Sequence, residues 1–558
     1  MTSLAALDAD RLHDLVTASV AAHVKLGPHE IDPDRPLSRL GLDSLRCIEL
    51  GLSIERAVGR PVPTDLVTEY ATLRSVCARL AAEDATEDGR APAARARREV
   101  AERYSGVPNA AAALGCSCGV GPREHQEKMA DAILPPDIRP RRRARAASVR
   151  SARCILLTGA TGFVGRSILR TLLRRTDAIV ICLVRSTTEP AAERVARLLP
   201  RSDRAGSRVE AVDGDLCEPS LGLSDADWRG LASRIDAVCH AGAAVNWAAP
   251  YAALRTVNTI ATRELLRLAS TAGALFQFVS SLSVCYSTRG PRRGDERFDP
   301  LPYLEGLHFG YAQSKAVAEA LVRQARARGL RAEIHRPALV SGDSLTGAFN
   351  RDDLLARLIA GCVRMRTAPD LDWRLDCVPV DFLAEALLRL SGRRAFVSHI
   401  AHPHPRHWRE CVLWMRVYGY PIELAPYAEW SRQLERECAA APDHPLAPLR
   451  GFLLSRHAGG FTLPELHEEA RRTQADASVT RAALDRRHCS PPPLDAALLD
   501  RYFRAFRAEG LVPAPDLSSA SAPPREIRLR GLGSPGALVR RMLPVARVRR
   551  VTRLDEGQ

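Results

Sequence analysis

The 558-residue sequence predicts an α/β protein built on a doubly wound parallel sheet, with a small helical unit ahead and a mostly helical subdomain behind. Three observations predict it. Between Cys154 and Arg185 an apolar run, three evenly spaced glycines, an amphipathic segment and a second apolar run follow one another. From there to about Gly342, short apolar runs keep alternating with helical patterns. Ahead of both, residues 1 to about 85 carry apolar side chains at helical spacing. The central part is therefore a Rossmann-type sheet, and the leading part a four-helix unit.

In chain order, Leu12, Leu15, Val16, Val20 and Val24 lie on one face of a first helix, which Pro28 ends. Gly41-Leu42-Asp43-Ser44-Leu45 leads into a second, with Leu45, Ile48 and Leu52 on one side. Asp and Ser favour a helix start, so a simple N-cap explains Asp43-Ser44. Pro61 and Pro63 break the chain before a short segment ending near Tyr70, and Thr72 to Leu80 form a last helix. Residues 86–125, rich in Ala, Arg, Glu and Gly, read as a linker with one helix around Ala94 to Tyr104.

Cys154 to Thr158 is too short for a helix and suits a buried strand. Gly159, Gly162 and Gly165 follow, then a helix carrying Val164, Ile168, Leu169, Leu172 and Leu173, then a second strand from Ala178 to Val184. Glycines at this point let the backbone turn tightly against a pyrophosphate, and the helix N-terminus supplies N–H groups and a positive dipole end. A cofactor lacking a 2′-phosphate usually meets an acidic residue after the second strand. Arg185 stands there instead, which favours NADP(H).

Arg208–Val212, Ala237–His240, Leu275–Ser280 and Ala332–Ile334 continue the strands, with helices from Asn258 to Ala272 and from Tyr311 to Arg328. The core is expected to span about 150–345. Over about 346–515 helical segments dominate, notably Leu354 to Met365 and Phe382 to Leu390. Residues 516–558, rich in Pro, Gly and Arg, read as a basic, disordered tail.

The bulk numbers exclude some functions. The formal charge is +15, but seven arginines fall between Arg139 and Arg153, and a net excess of six basic residues follows Ser521. Both segments read as linker or tail, so no nucleic-acid surface is expected. No apolar run approaches the roughly twenty residues of a membrane span, and no secretory signal is visible. The fourteen cysteines lack a disulfide framework, as in a cytoplasmic protein; Cys116 and Cys118 have no second pair at zinc spacing.

Only Lys25, Lys128 and Lys315 are lysines among 80 basic residues. Lys315 sits four residues after Tyr311 in Tyr-Ala-Gln-Ser-Lys, so both share a helix face. A phenol of pKa near 10 is a poor catalyst at neutral pH, and a neighbouring ammonium is expected to lower that value. Upstream, Phe278-Val279-Ser280-Ser281-Leu282-Ser283 is a strand ending in hydroxyls, one of which can reach the same carbonyl oxygen as the phenol. Asn258 opens a helix that can pack beneath the site.

Two resemblances sharpen this reading. Residues 1–85, with LGLDSL at the mouth of the second helix, resemble an acyl carrier protein. That implies 4′-phosphopantetheine on Ser44, attached by a phosphopantetheinyl transferase. Arg46 departs from the family's usual uncharged residue. Residues 126–515 resemble the thioester reductase branch of the extended short-chain dehydrogenase/reductase family. The stretches that carry the likeness include CLVR at Cys182, GDL at Gly214, HAGAAVNW at His240, GYAQSK at Gly310, RPALVSGDSLTGAFNRDD at Arg336 and VPVD at Val378.

The second resemblance implies Ser281, Tyr311 and Lys315 as the catalytic set. It implies Gly159, Thr161, Gly162, Phe163, Gly165, Arg185, Asp215 and Leu216, with Tyr311 and Lys315, around NADPH. His399 to His407 depart from the family pattern with four histidines, but the family uses no metal and none is expected. The implied activity is reductive release of a carrier-bound acyl thioester as an aldehyde, or after a second hydride transfer as an alcohol, in polyketide or nonribosomal peptide biosynthesis. With no adenylating region in the sequence, an upstream synthase or acyl-loading enzyme is the expected partner, and a monomer the expected state. An epimerase or dehydrogenase acting on a free small molecule, and a non-catalytic docking module, are the rival readings.

Overall fold

The computed structural model describes residues 9–24, 26–35, 37–40, 44–58, 62, 72–87, 122–140, 146–199, 208–393, 395–441, 443–457 and 460–515. The expected linker helix, Gly41 to Asp43, the segment ending near Tyr70, Cys116, Cys118, Lys25 and the tail lie outside them. The chain divides near Arg123 into two compact units.

The first unit contains α1 (Ala9–Val24), α2 (Ser44–Val58) and α3 (Leu73–Glu87), with single 3₁₀ turns at Pro28–Glu30 and Leu37–Leu40. Leu12, Val16 and Val20 of α1, Leu50 and Ile54 of α2, and Leu73, Val76 and Leu80 of α3 close one apolar core. Ser44 is the first residue of α2.

The second unit is built on seven parallel strands: β1 (Cys154–Thr158), β2 (Ile179–Val184), β3 (Val209–Asp213), β4 (Ala237–His240), β5 (Leu275–Val279), β6 (Ala332–Pro337) and β7 (Val397–Ile400). Their order is β7-β6-β5-β4-β1-β2-β3, so the order in which strands are added reverses beside β1. β1 pairs Ile155 with Val180 on one side and with Ala237 on the other. The central strands are buried end to end because helices cover both faces, hence their unbroken apolar runs.

Alternate residues divide between two cores. Ile155, Leu157, Val180 and Cys182 face α4 (Phe163–Arg175), through Ile168, Leu169 and Leu172, with Leu383 and Leu387 of the helix Val380–Leu390. Leu156, Ile181, Val238, Phe276 and Phe278 face α5 (Ala261–Ala272) and α6 (Gly310–Ala327).

Two boundaries differ from the sequence expectation. The helix placed at Asn258 starts at Tyr251 and runs through a π-helical turn, Thr256–Ile260, into α5. β7 comes from beyond residue 345, and with the helix Val380–Leu390 it completes the sheet layers. Val397–Ile400 is a four-residue run containing Ser398 and His399, whose polar side chains hide a strand signal. The rest of the C-terminal region is mainly helical, including α7 (Leu354–Met365) and α8 (Ala496–Ala508), with short two-stranded pairings. No described helix is long and apolar enough to cross a membrane.

Phe276 is wholly buried at the centre of the second face. Phe276→Ala is expected to destabilise the second unit by about 3–5 kcal/mol, read as a lowered urea midpoint.

Candidate active site

The turn after β1 has almost no spare volume. Gly159 sits at φ +75°, and a Cβ there would lie 2.7 Å from the Gly242 nitrogen. A Cβ on Gly165 would collide with the Gly159 carbonyl, so α4 is pressed directly onto the turn. The Gly162 N–H donates to the Gly159 carbonyl at 2.9 Å, and Gly162 is the N-cap of α4. Thr161 and Phe163, half-buried, flank it. The free N–H groups of the first helical turn thus stand beside a tight, side-chain-free turn suited to phosphate.

At the end of β2, the Arg185 guanidinium lies 3.8 Å from the Asp215 carboxylate. Asp215 Oδ1 accepts from the Cys217 N–H at 2.9 Å, while the buried Oδ2 has no hydrogen bond. Leu216 rests against Gly242, where a Cβ would come within 2.7 Å of its Cδ1. Arg194 donates to the Arg185 carbonyl, and burial and the Arg185 charge push it below its ordinary range. Sequence reasoning missed Arg194, one of many arginines with nothing local to single it out.

The three expected catalytic residues occupy the carboxyl end of β5 and the start of α6. Lys315 Nζ, wholly buried, donates to the Val279 carbonyl at 2.9 Å and lies 4.7 Å from the Phe278 ring centre and 6.0 Å from that of Tyr311. Ser281 Oγ accepts from the Ser283 N–H (3.2 Å) and hydroxyl (2.8 Å), which leaves its own proton free to donate elsewhere. Tyr311 is half-buried and stacks on Phe309 at 6.3 Å.

The electrostatics reverse one expectation. Burial raises Tyr311 above its ordinary value and pushes Lys315 down to about 7, against the pull of Glu319. The lysine therefore does not lower the phenol here. Both groups are desolvated, and burial outweighs any help the ammonium gives the phenol. The rarity of lysine was also less telling than it looked. Lys128 is equally buried, paired with Glu124 at 2.5 Å and lying 5.4 Å from the Tyr251 ring centre.

A buried polar relay joins the glycine turn to α6. The Gly242 N–H donates to Thr158 Oγ (3.0 Å), and Thr158 Oγ pairs with His240 Nδ1 (2.8 Å). His240 Nε2 pairs with Thr262 Oγ (3.0 Å), which donates to the Asn258 carbonyl (2.7 Å). Thr262 can then only accept from His240, so the imidazole carries its proton on Nε2. Burial and Lys315 push His240 well below its ordinary range, keeping it neutral. The Asn258 amide donates to the Ala244 carbonyl (3.0 Å) and Ser314 Oγ (2.9 Å) and accepts the Ala244 N–H (2.8 Å). Ser314 donates to the Tyr311 carbonyl (2.9 Å). Asn258 thus acts from within the π-turn rather than from a helix start.

An aromatic wall continues outward from Tyr311. Phe309 stacks on Trp247 at 5.7 Å, and Phe452 and His467 of the C-terminal region meet these rings edge-on at 5.5 and 5.4 Å. Trp247 closes the HAGAAVNW stretch, but Phe452 and His467 did not stand out in the sequence, because they lie more than a hundred residues from the rings they meet. The histidines of the 399–407 stretch are spent individually. His399 faces Arg336, His402 Nε2 donates to the Pro492 carbonyl and His407 caps a helix. Among the described residues no group of three such side chains can hold a metal.

A parallel sheet reversing at a glycine turn, with a Tyr–Lys helix beside its carboxyl edge, defines the extended short-chain dehydrogenase/reductase class. Comparisons narrow it. Residues 157–387 match the NAD-binding family described as male sterility protein, and residues 14–80 match the phosphopantetheine attachment site family. The second unit is similar to the terminal R domain of the myxalamid PKS-NRPS pathway, with 35% identity and a TM-score of 0.63, over 70% of this chain and 100% of that one. A thiolation-reductase di-domain from an archaeal non-ribosomal peptide synthetase shares the fold over 91% of this chain and 99% of its own, at 20% identity and a TM-score of 0.56.

An isonitrile lipopeptide synthase of Streptomyces coeruleorubidus is 37% identical over 71% of this chain and 27% of its own length. A glycine betaine reductase of Emericella nidulans is 34% identical over 71% and 31%. The chain spans less than a third of these relatives. It belongs to the family of terminal reductase domains of nonribosomal peptide and polyketide synthases, here preceded by a carrier unit.

The residues present fit NADP(H). The side-chain-free turn admits a pyrophosphate, the unbonded Asp215 Oδ2 awaits a donor, and Arg185 and Arg194 offer positive charge where a 2′-phosphate would lie. Gly159→Ala, strained at positive φ and crowding Gly242, is expected to weaken NADPH binding at least about tenfold in a fluorescence titration.

Proposed function

We propose that this chain reduces an acyl thioester, carried on a phosphopantetheine arm at Ser44, to an aldehyde with NADPH. One observation supports the reading: Lys315, on the helix face it shares with Tyr311, donates to the Val279 carbonyl two residues before Ser281, at the sheet edge that also bears the glycine turn, in a chain with a carrier unit. The boundaries proposed are 1–85 for the carrier, 126–515 for the reductase and 516–558 for a basic tail. The upstream synthase or loading enzyme and the phosphopantetheinyl transferase are proposed partners. The eleven cysteines whose side chains are described, Cys77 to Cys489, are free thiols, which suits the reducing cytoplasm.

When bound, NADPH supplies the hydride that reduces the thioester carbon. Ser281, whose oxygen already accepts two hydrogen bonds, donates its proton to the carbonyl oxygen as negative charge develops there. Tyr311 donates from the same side and delivers the proton that the breaking C–S bond requires. Its raised pKa keeps the phenol protonated until then. Lys315, held by the Val279 carbonyl, orients the phenol and replaces its proton. Phe309, Trp247 and Phe452 screen the reacting carbon from water.

Two outcomes are expected. With Ser44 loaded by a thioester, Tyr311→Phe should lower kcat about 10²–10⁴-fold in single-turnover NADPH consumption, with NADPH affinity unchanged. If it leaves turnover intact, the docking-module reading replaces this one. Arg185→Ala should erode the preference for NADPH over NADH at least about tenfold in dissociation constants, each guanidinium–phosphate contact being charge-assisted.

A further inference from the structure

One buried charge cluster touches every element that carries the proposed catalytic set. Glu319 lies one turn beyond Lys315 on α6 and is wholly buried. Its Oε1 accepts from Ser280 Oγ at 2.7 Å and from Arg336 Nε at 2.8 Å, and its Oε2 from Arg336 Nη2. Arg323 approaches the same oxygen at 3.8 Å. Ser280 directly follows the last residue of β5 and precedes Ser281, while Arg336 lies on the neighbouring β6.

Arg336, also wholly buried, has its remaining donors engaged. They reach the Phe298 carbonyl (3.0 Å), His399 Nε2 (3.1 Å) and Cys285 Sγ (3.5 Å). His399 donates from Nδ1 to the Asp476 carbonyl (2.8 Å), so its Nε2 is a lone-pair acceptor. Burial and Arg336 push this histidine down to about 4, so the cluster does not gain a proton near neutrality.

A brace alone would not need charge. Buried ion pairs are often replaceable by well-packed apolar residues at little cost to stability. This pair stands one helical turn from an amine that has no other carboxylate acting on it among the described residues. The groups facing Lys315 are Tyr311 and Glu319 of α6, the Phe278 ring and Val279 carbonyl of β5, and the neutral His240 of β4. We propose that Glu319, clamped by Arg336, is a positioning residue that fixes Ser281 against the Tyr311–Lys315 face and keeps Lys315 an ammonium. The inference rests on the reductase reading above.

The sign follows from electrostatics. Glu319 favours the charged amine. Losing the carboxylate must lower the pH at which Lys315 gives up its proton. The experiment uses the full holo-chain with Ser44 loaded and NADPH, following kcat and KM against pH for Glu319→Gln, Ser280→Ala and the double variant Glu319→Leu/Arg336→Met.

For Glu319→Gln, the alkaline limb of kcat is expected to move about one pH unit downward, with KM for NADPH within about twofold. Ser280→Ala, which leaves the ion pair intact, should lower kcat several-fold without moving the limb. The double variant removes the buried charge as a pair, so it should recover stability yet keep a low kcat and a displaced limb. Wild-type activity in the double variant, or an unmoved limb in Glu319→Gln, overturns the inference and reduces the pair to a brace. A wild-type chain that never consumes NADPH sinks the reductase reading first, which is a distinguishable failure.

Discussion

An amine taken wholly out of water has to be compensated by its surroundings. Lys315 receives a single backbone carbonyl, that of Val279, and the face of Phe278. Both belong to the last residues of β5, so the lysine cannot be held unless that strand ends where it does and α6 packs closely over it. The close packing is visible in α6 itself, where Ala312, Ser314, Ala316 and Ala318 are all wholly buried small residues. The chemistry of the site thus begins as a packing condition on one strand and one helix.

The cofactor side obeys a similar condition with opposite means. There the requirement is absence of side chains, met by Gly159, Gly165 and Gly242 pressed against one another and against Leu216. Thr158 and His240 connect these glycines to Asn258 and thence to the backbone of Tyr311. Every donor in that chain has one acceptor, and a network with no spare partner holds a single geometry. The two halves of the site are therefore registered to each other through buried hydrogen bonds rather than through any ligand.

Much of this was legible in the residues. Local patterns announced β1, the glycine turn and β2, because each side chain there answers to its immediate neighbours in sequence. The Tyr311–Lys315 pair was legible for the same reason, being one helical turn apart. What escaped depended on distance along the chain. Arg194, the aromatic partners Phe452 and His467, and the strand Val397–Ile400 acquire their meaning only from residues far away. The direction of the Tyr311 shift escaped as well. Spacing shows that a lysine is near, but only the surrounding volume shows that burial outweighs its effect on the phenol.

The strand Val397–Ile400 lies along Ile334 to Pro337 and closes that side of the sheet. During synthesis the ribosome must therefore deliver some sixty further residues after β6 before the layer has its final margin. Until then the backbone of Ile334 to Pro337 presents unpaired donors and acceptors, an invitation to foreign strands. The nucleotide core thus borrows its last strand from the region that follows it, and cutting the two apart would leave β6 with an open border.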